Sequence, residues 1–151
     1  DAGRTPDPNG WNVSTVETVS AELRASRTAA AVEEYRGTFH CDLPAGPAVA
    51  ALRDLLGLCR TEGVSVALVL FPEGTAFRAL YPAATEAKLA AFLAGLAAAF
   101  GCQVTDARTW IADDLFSDSH HLLRSGAVQL TGRLTGEVIL PFLRARSRGG
   151  A

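Results

Sequence analysis

The sequence has no methionine, no CxxC pair, no run of basic residues and little charge of either sign. Each absence narrows the field. Fourteen Lys and Arg against sixteen Asp and Glu leave a net charge of −2, without the basic stripe that a nucleic-acid footprint needs. Arg144, Arg146 and Arg148 read as a solvated end rather than a binding patch. Three cysteines (Cys41, Cys59, Cys102) are too few and too scattered for a disulfide framework or a zinc site, and Cys59 and Cys102 read as buried thiols. No apolar run is expected to reach the roughly 18 residues of a membrane span, and the opening lacks a signal-peptide pattern. That opening, "DAGRTPDPNGW", together with the missing methionine, reads as part of a longer product.

What is present is a foldable chain. With 151 residues, 48% hydrophobic and 20% charged, the composition fits one globular domain. Residues 1–12 are rich in Pro, Gly, Asp and Asn and read as loop. A helix is expected from a cap at Ser14 or Thr15 to about Arg36, with Glu17 in its first turn. A short extended piece is expected at Thr38–Cys41. Gly46-Pro47 starts a second helix, because proline suits the first helical position. Val49, Leu52, Leu55, Leu56 and Cys59 continue it at helical spacing until Gly63.

"VSVALVLF", residues 64–71, has almost no polar face and predicts a strand covered on both sides, as in a parallel sheet. Residues 72–82 read as loop. Thr85–Phe100 predicts another helix, with Leu89, Phe92, Leu93, Leu96 and Phe100 on one face and Gly101 at its end. "CQVTDA" reads as a second strand. "RTWIADDLFSDSHH" is a loop leading into a last helix, Arg124–Arg144, whose final turn Pro141 bends. The alternation predicts an α/β fold with a parallel sheet flanked by helices, incomplete with two clear strands. The expected divisions are an N-terminal loop and helical excursion (1–46), the α/β part (47–145) and a flexible tail (146–151).

In such sheets ligands bind beyond the carboxyl ends of the strands. "FSDSHHLLRSGA", residues 116–127, falls there. An aspartate three residues before a histidine can accept the imidazole Nδ1–H, fix the tautomer and leave Nε2 to take a proton. The candidate catalytic residues are therefore Asp118 and His121, with His120 as a neighbour sharing the loop. Asp113, Asp114, Asp118, His120 and His121 also cluster in sequence, which keeps a metal site open. His40 beside Cys41 reads as a surface histidine and a structural cysteine. Glu73 reads as a turn residue, Trp110 and Phe116 as cover for the core edge, and Asp106 as an acceptor for amides of the long loop.

The string Phe116, Asp118, His121, Leu122, Gly126 and Ala127 resembles the last block of the SGNH (GDSL-type) hydrolase superfamily. The likeness extends over residues 47–145. Residues 63–82 are similar to the penultimate strand and its proline-containing exit loop, and residues 101–108 are similar to the last strand. "NGW" at Asn9–Trp11 resembles an insertion in cell-envelope branches of the family. The resemblance implies a three-layer SGNH/flavodoxin-like fold, His121 as catalytic base and Asp118 as its orienting acid. It also implies a serine esterase or O-acyltransferase acting on an acylated small molecule or polysaccharide, with no cofactor, and a cell-envelope location.

The nucleophile's Gly-Asp-Ser-like block is absent, since Ser14, Ser20, Ser26, Ser65, Ser117, Ser119 and Ser125 all lie in other contexts. Nor is the family's oxyanion Gly and Asn pair identifiable. This chain is thus expected to be the base-bearing part of such an enzyme, pairing with an upstream segment or with itself. The alternatives are a non-catalytic α/β interaction module and a metal-dependent hydrolase using the Asp/His loop.

Overall fold

The computed structural model describes residues 18–40 and 46–149. The chain is mainly helical around a small parallel sheet, so the mixed α/β character is as expected. Helix α1 spans Ala21–Tyr35. It begins later than expected: residues 18–20 are not helical, and the Ser20 hydroxyl caps it by accepting the Leu23 N–H at 3.2 Å. Glu22 occupies its first turn, and the expected cap at Ser14 or Thr15 and Glu17 lie outside the described residues. Thr38–His40 forms a 3₁₀ turn rather than an extended piece, and Cys41 lies outside the described residues. This turn is held by a distant partner that local spacing does not reveal, as the Phe39 carbonyl accepts the Thr85 hydroxyl at 3.0 Å.

Helix α2, Pro47–Thr61, starts at the expected proline, and the chain turns away at Gly63 with a left-handed φ of 67°. Strand β1 is Ala67–Leu70, shorter than the apolar run containing it. A four-residue helix, α3 (Thr75–Arg78), interrupts the expected loop. Helix α4, Ala83–Phe100, ends at Gly101 in the left-handed region, where glycine avoids the Cβ penalty. Strand β2, Gln103–Asp106, pairs in parallel with β1, with Leu68 opposite Val104 and Leu70 opposite Asp106.

Leu56, Leu96 and Cys102 form one apolar cluster, joined by Leu68, Phe92, Phe100 and Val104, so α2 and α4 pack on the sheet. Cys102 is buried as expected, whereas Cys59 is only half-buried. The expected double cover of β1 does not hold: all four of its residues keep partial exposure. Among the described residues the sheet has two strands, so each strand is an edge. Helix α4 also corrects the expectation about membrane spans. Over its 18 residues the mean hydropathy is 1.4, enough by length and composition to cross a membrane. Glu86 and Lys88 break its uninterrupted apolar run, and it reaches that average through Ala and Leu. Within that stretch only Thr85 and Leu96 are buried, Leu96 fully, in the cluster on the sheet.

The last helical stretch is not uniform. Helix α5, Arg124–Arg133, passes through a π-helical segment, Leu134–Ile139, into α6, Leu140–Gly149. The irregularity thus precedes Pro141 instead of following it. Proline offers no N–H and its ring crowds the carbonyl four residues back. A wider turn absorbs both, with the Leu140 N–H donating to Thr135, five residues earlier. Ile111, Phe116 and Leu130 make a second cluster beneath this helix, with Trp110, Leu115, Leu122 and Leu134 packed around it.

Candidate functional site

Both loops that leave the sheet at its carboxyl edge are tied down before they carry any polar side chain. Ala107 is fully buried and its N–H donates to the Leu70 carbonyl, extending the ladder one step past β2. Asp106 accepts the Arg108 N–H at 3.0 Å and ion-pairs with the Arg108 guanidinium at 2.8 Å, so it does hold the start of the loop. These bonds from Arg108, first the side chain's, keep the Asp106 carboxyl below its usual range. The chain then makes a 3₁₀ turn at Asp113–Leu115 and a pinched turn closed by a Phe116–Leu122 bridge. Within the pinch the Ser117 N–H donates to the His121 carbonyl at 2.8 Å.

Ser119 sits at the tip with φ of 75°, a left-handed conformation uncommon for a residue with a side chain. Two hydrogen bonds and burial hold it there. The Gly74 N–H donates to the Ser119 carbonyl at 2.6 Å, the Phe77 N–H donates to the Ser119 hydroxyl at 3.1 Å, and the residue is buried. Gly74 is needed for this approach, since a Cβ on it would lie 2.5 Å from Ser119 Oγ and 2.9 Å from Ser119 O. Asp113, one of the acids in the sequence cluster, faces elsewhere: its carboxylate accepts the Thr75 N–H at 2.8 Å. Asp114 is exposed. The five-residue cluster reduces to Asp118, His120 and His121, which each present a ligand-type atom within 4.8 Å of the others.

The kink at Ser119 turns the chain back over Asp118. Its Oδ1 accepts the His121 N–H at 2.8 Å and the His120 N–H at 3.3 Å, while Oδ2 meets His121 Nδ1 at 2.9 Å. Burial acts to push the Asp118 carboxyl up, but the ring and two backbone donors outweigh it and hold the group below the usual carboxylate range. With Nδ1–H committed to this carboxylate, the neutral ring leaves Nε2 as an acceptor. Side-chain exposure is 67% for His121 and 19% for Asp118, so the acid is sheltered and the ring reaches outward.

His120 differs from its neighbour. Its ring stacks on Phe77 with centroids 4.7 Å apart and meets the edge of Tyr35 at 5.4 Å. His120 Nδ1 is 3.5 Å from Asp118 Oδ1, yet it is buried without a hydrogen-bond partner. At that distance the pair is a close approach that leaves the ring nitrogen unsatisfied. The two histidines therefore divide, one bonded to the acid and exposed, the other wedged among aromatic rings.

Facing them is α1. Arg27, Ala30, Ala31, Glu34 and Tyr35 line an open groove of about 410 Å³ with Asp118, His120 and His121. Sequence reading missed this wall: residues far apart along the chain meet through α1 packing on α3, and α1's apolar spacing is too sparse to foretell it. No serine or cysteine among the described residues bonds His121 Nε2. Ser117 Oγ donates to the His121 carbonyl at 3.3 Å, and Ser119 Oγ is an acceptor for Phe77.

Phe116 and Trp110 cover the core edge as expected, whereas Glu73 does not keep its expected role. Phe116 is fully buried, so it supports the loop as core cover and lines no groove. Trp110 packs beneath Arg133, whose guanidinium lies 4.2 Å from the ring centroid. Glu73 is more than a turn residue. It is half-buried, accepts the Tyr81 hydroxyl at 2.8 Å, and leaves Oε2 buried without a partner. Burial pushes the Glu73 carboxyl up, and Tyr81 and Arg108 only partly oppose that shift. His40 lies in the 3₁₀ turn, and the Cys41 half of the His40–Cys41 reading lies outside the described residues.

No family description, curated protein or solved structure matches the chain.

Proposed function

We propose that this chain supplies the base and orienting acid of a serine esterase or O-acyltransferase, on a three-layer SGNH-like domain. The nucleophilic serine then comes from outside these 151 residues. One observation carries the reading: His121 Nδ1 lies 2.9 Å from an Asp118 carboxylate that two backbone amides also hold, at the carboxyl edge of a parallel sheet, with the far side of the ring open to a groove. Capping alone needs only the amide contacts. A sheltered acid bonded to an outward imidazole is what a proton-accepting histidine requires.

In this reading His121 Nε2 takes the serine proton as oxygen attacks the acyl carbon, and returns it to the leaving oxygen. Asp118 fixes the tautomer and stabilises the imidazolium formed in between. Water or a sugar hydroxyl then releases the acyl group by the same relay. Among the two histidines, His121 suits this role, since the His120 ring is packed between Phe77 and Tyr35. The substrate would be an acylated small molecule or polysaccharide approaching along the α1 groove.

The test is fluorophosphonate labelling of the longest natural form of the protein, with the labelled peptide mapped by mass spectrometry. A labelled serine whose modification is lost in His121→Ala supports the reading. A folded protein that takes no label defeats it and leaves an α/β interaction module, for which the two open sheet edges would be the natural contact surface.

A further inference from the structure

We infer that Asp118, His120 and His121 form a binding site for one zinc-like divalent ion, and that the ion silences His121 as a base. The second half of this inference rests on the reading above; the first does not.

Neighbouring histidines in an extended chain point to opposite faces and cannot share an ion. Here the tight turn closed by the Phe116–Leu122 bridge departs from that pattern, and the two rings lie 3.9 Å apart between centroids. Both Nδ1 atoms approach the same carboxylate, at 2.9 Å from Oδ2 and 3.5 Å from Oδ1. A tetrahedral ion with bonds of about 2.0–2.1 Å sets its ligands roughly 3.3 Å apart, so these separations bracket one edge of such a site. The three donors lie within 4.8 Å of one another, and rotation of the exposed His121 ring is the movement that would draw them to ligand spacing.

A second observation points the same way. His120 Nδ1 is buried and has no hydrogen-bond partner. Buried polar atoms are rarely left so, and each such case calls for an explanation. Phe77 and Tyr35 hold the ring in place, so the nitrogen cannot turn to water. An ion between it and Asp118 would satisfy it. Imidazole nitrogens with one carboxylate suit zinc and neighbouring transition ions rather than magnesium or calcium, and three protein ligands leave the fourth position open.

Occupancy has a defined chemical consequence. The ion takes the lone pair at His121 Nδ1, so the single ring proton must sit on Nε2. Nε2 then donates instead of accepting, and the Asp118–His121 hydrogen bond is broken. No bond of a substrate is involved, and the ring keeps one proton throughout.

The experiment is titration of the 151-residue chain with zinc chloride by calorimetry, with cobalt(II) absorption as the geometric readout. The expected result is one ion per chain and a tetrahedral cobalt spectrum without thiolate charge transfer. His120→Gln and His121→Gln should each weaken binding by at least the roughly 10–100-fold that loss of a mere supporting partner costs at a metal site. The exposed His121 keeps the test valid if His120→Gln does not fold. Equal binding in both variants, a thiolate band, or no binding at millimolar zinc overturns the site. In the longest natural form, zinc should suppress fluorophosphonate labelling reversibly. Zinc binding without any labelling in zinc-free protein would count against the esterase reading alone. Labelling without zinc binding would count against the metal site alone.

Discussion

The two apolar clusters of this molecule are packed to different standards. Around the sheet, Leu56, Leu96 and Cys102 are buried, but β1 is half-open along its length and Leu55, Leu58 and Phe71 are more than half exposed. Around the long loop, Phe116 and Ala107 have no exposure, Ile111 and Leu123 have 3%, and Gly126 is pressed against the Leu115 carbonyl. The element normally expected to be the rigid scaffold is thus the less covered one. The segment carrying Asp118 and His121 is anchored by buried Ile111, Phe116 and Ser119, while Asp113, Asp114 and His121 reach solvent. The acid–base pair proposed above would need precise placement, and a loop supplies that when side chains beneath it are tightly packed.

Unfolding measurements can break this comparison, and the largest effect expected is from Phe116→Ala. Removing a fully buried ring should cost about 3–5 kcal/mol in urea or thermal unfolding. Leu96→Ala should fall toward the low end of the roughly 2–5 kcal/mol seen for such truncations, because half-open neighbours can collapse into the void. If Leu96→Ala costs more than Phe116→Ala, the contrast is wrong. Next comes Gly126→Ala, whose added Cβ would lie 2.6 Å from the Leu115 carbonyl oxygen and 3.1 Å from Leu122. Overpacking of this kind should cost about 1–3 kcal/mol.

Asp118→Asn sharpens the comparison through pH. The folded Asp118 carboxyl is held below its ordinary value, so its stabilisation is present above about pH 3.9 and is lost as pH falls through the folded value. The variant should be less stable by about 1 kcal/mol at pH 7, and the gap should close as both proteins are acidified. A gap independent of pH would mean that the charge on Asp118 does not contribute. The smallest effect belongs to the sheet side: Phe71→Ser, at an exposed position, should stay within about 0.5 kcal/mol of the parent protein.

Much of this was legible where a single residue type dictates local geometry. Gly46-Pro47 announced α2, Gly101 ended α4, and the β-branched run contained β1. The Asp-x-x-His spacing placed both groups in one hydrogen-bonded turn, because a three-residue separation suffices for that contact. What stayed hidden depends on partners far along the chain. Helix α3 starts where Asp113 captures the Thr75 N–H, 38 residues away, and residues 38–40 coil where Phe39 meets Thr85. Glu73 looked like a turn residue because Tyr81, eight positions on, returns to it only after α3 has turned the chain. His120 looked idle because its ring partners, Tyr35 and Phe77, lie on other elements.

The parallel pairing of β1 with β2 also sets an order of events in time. Parallel strands cannot be joined by a tight turn, so Leu68 meets Val104 only after the intervening chain, α3 and α4 included, has been synthesised and brought round. Contacts so distant in sequence form slowly. Until they form, the apolar stretch from Val64 to Phe71 has no strand beside it and is exposed to other chains. The outer edge of β1 stays open in the folded molecule, but the exposure of its β2-facing side belongs to the interval of folding, and a chaperone or a cooler expression temperature would act on that interval.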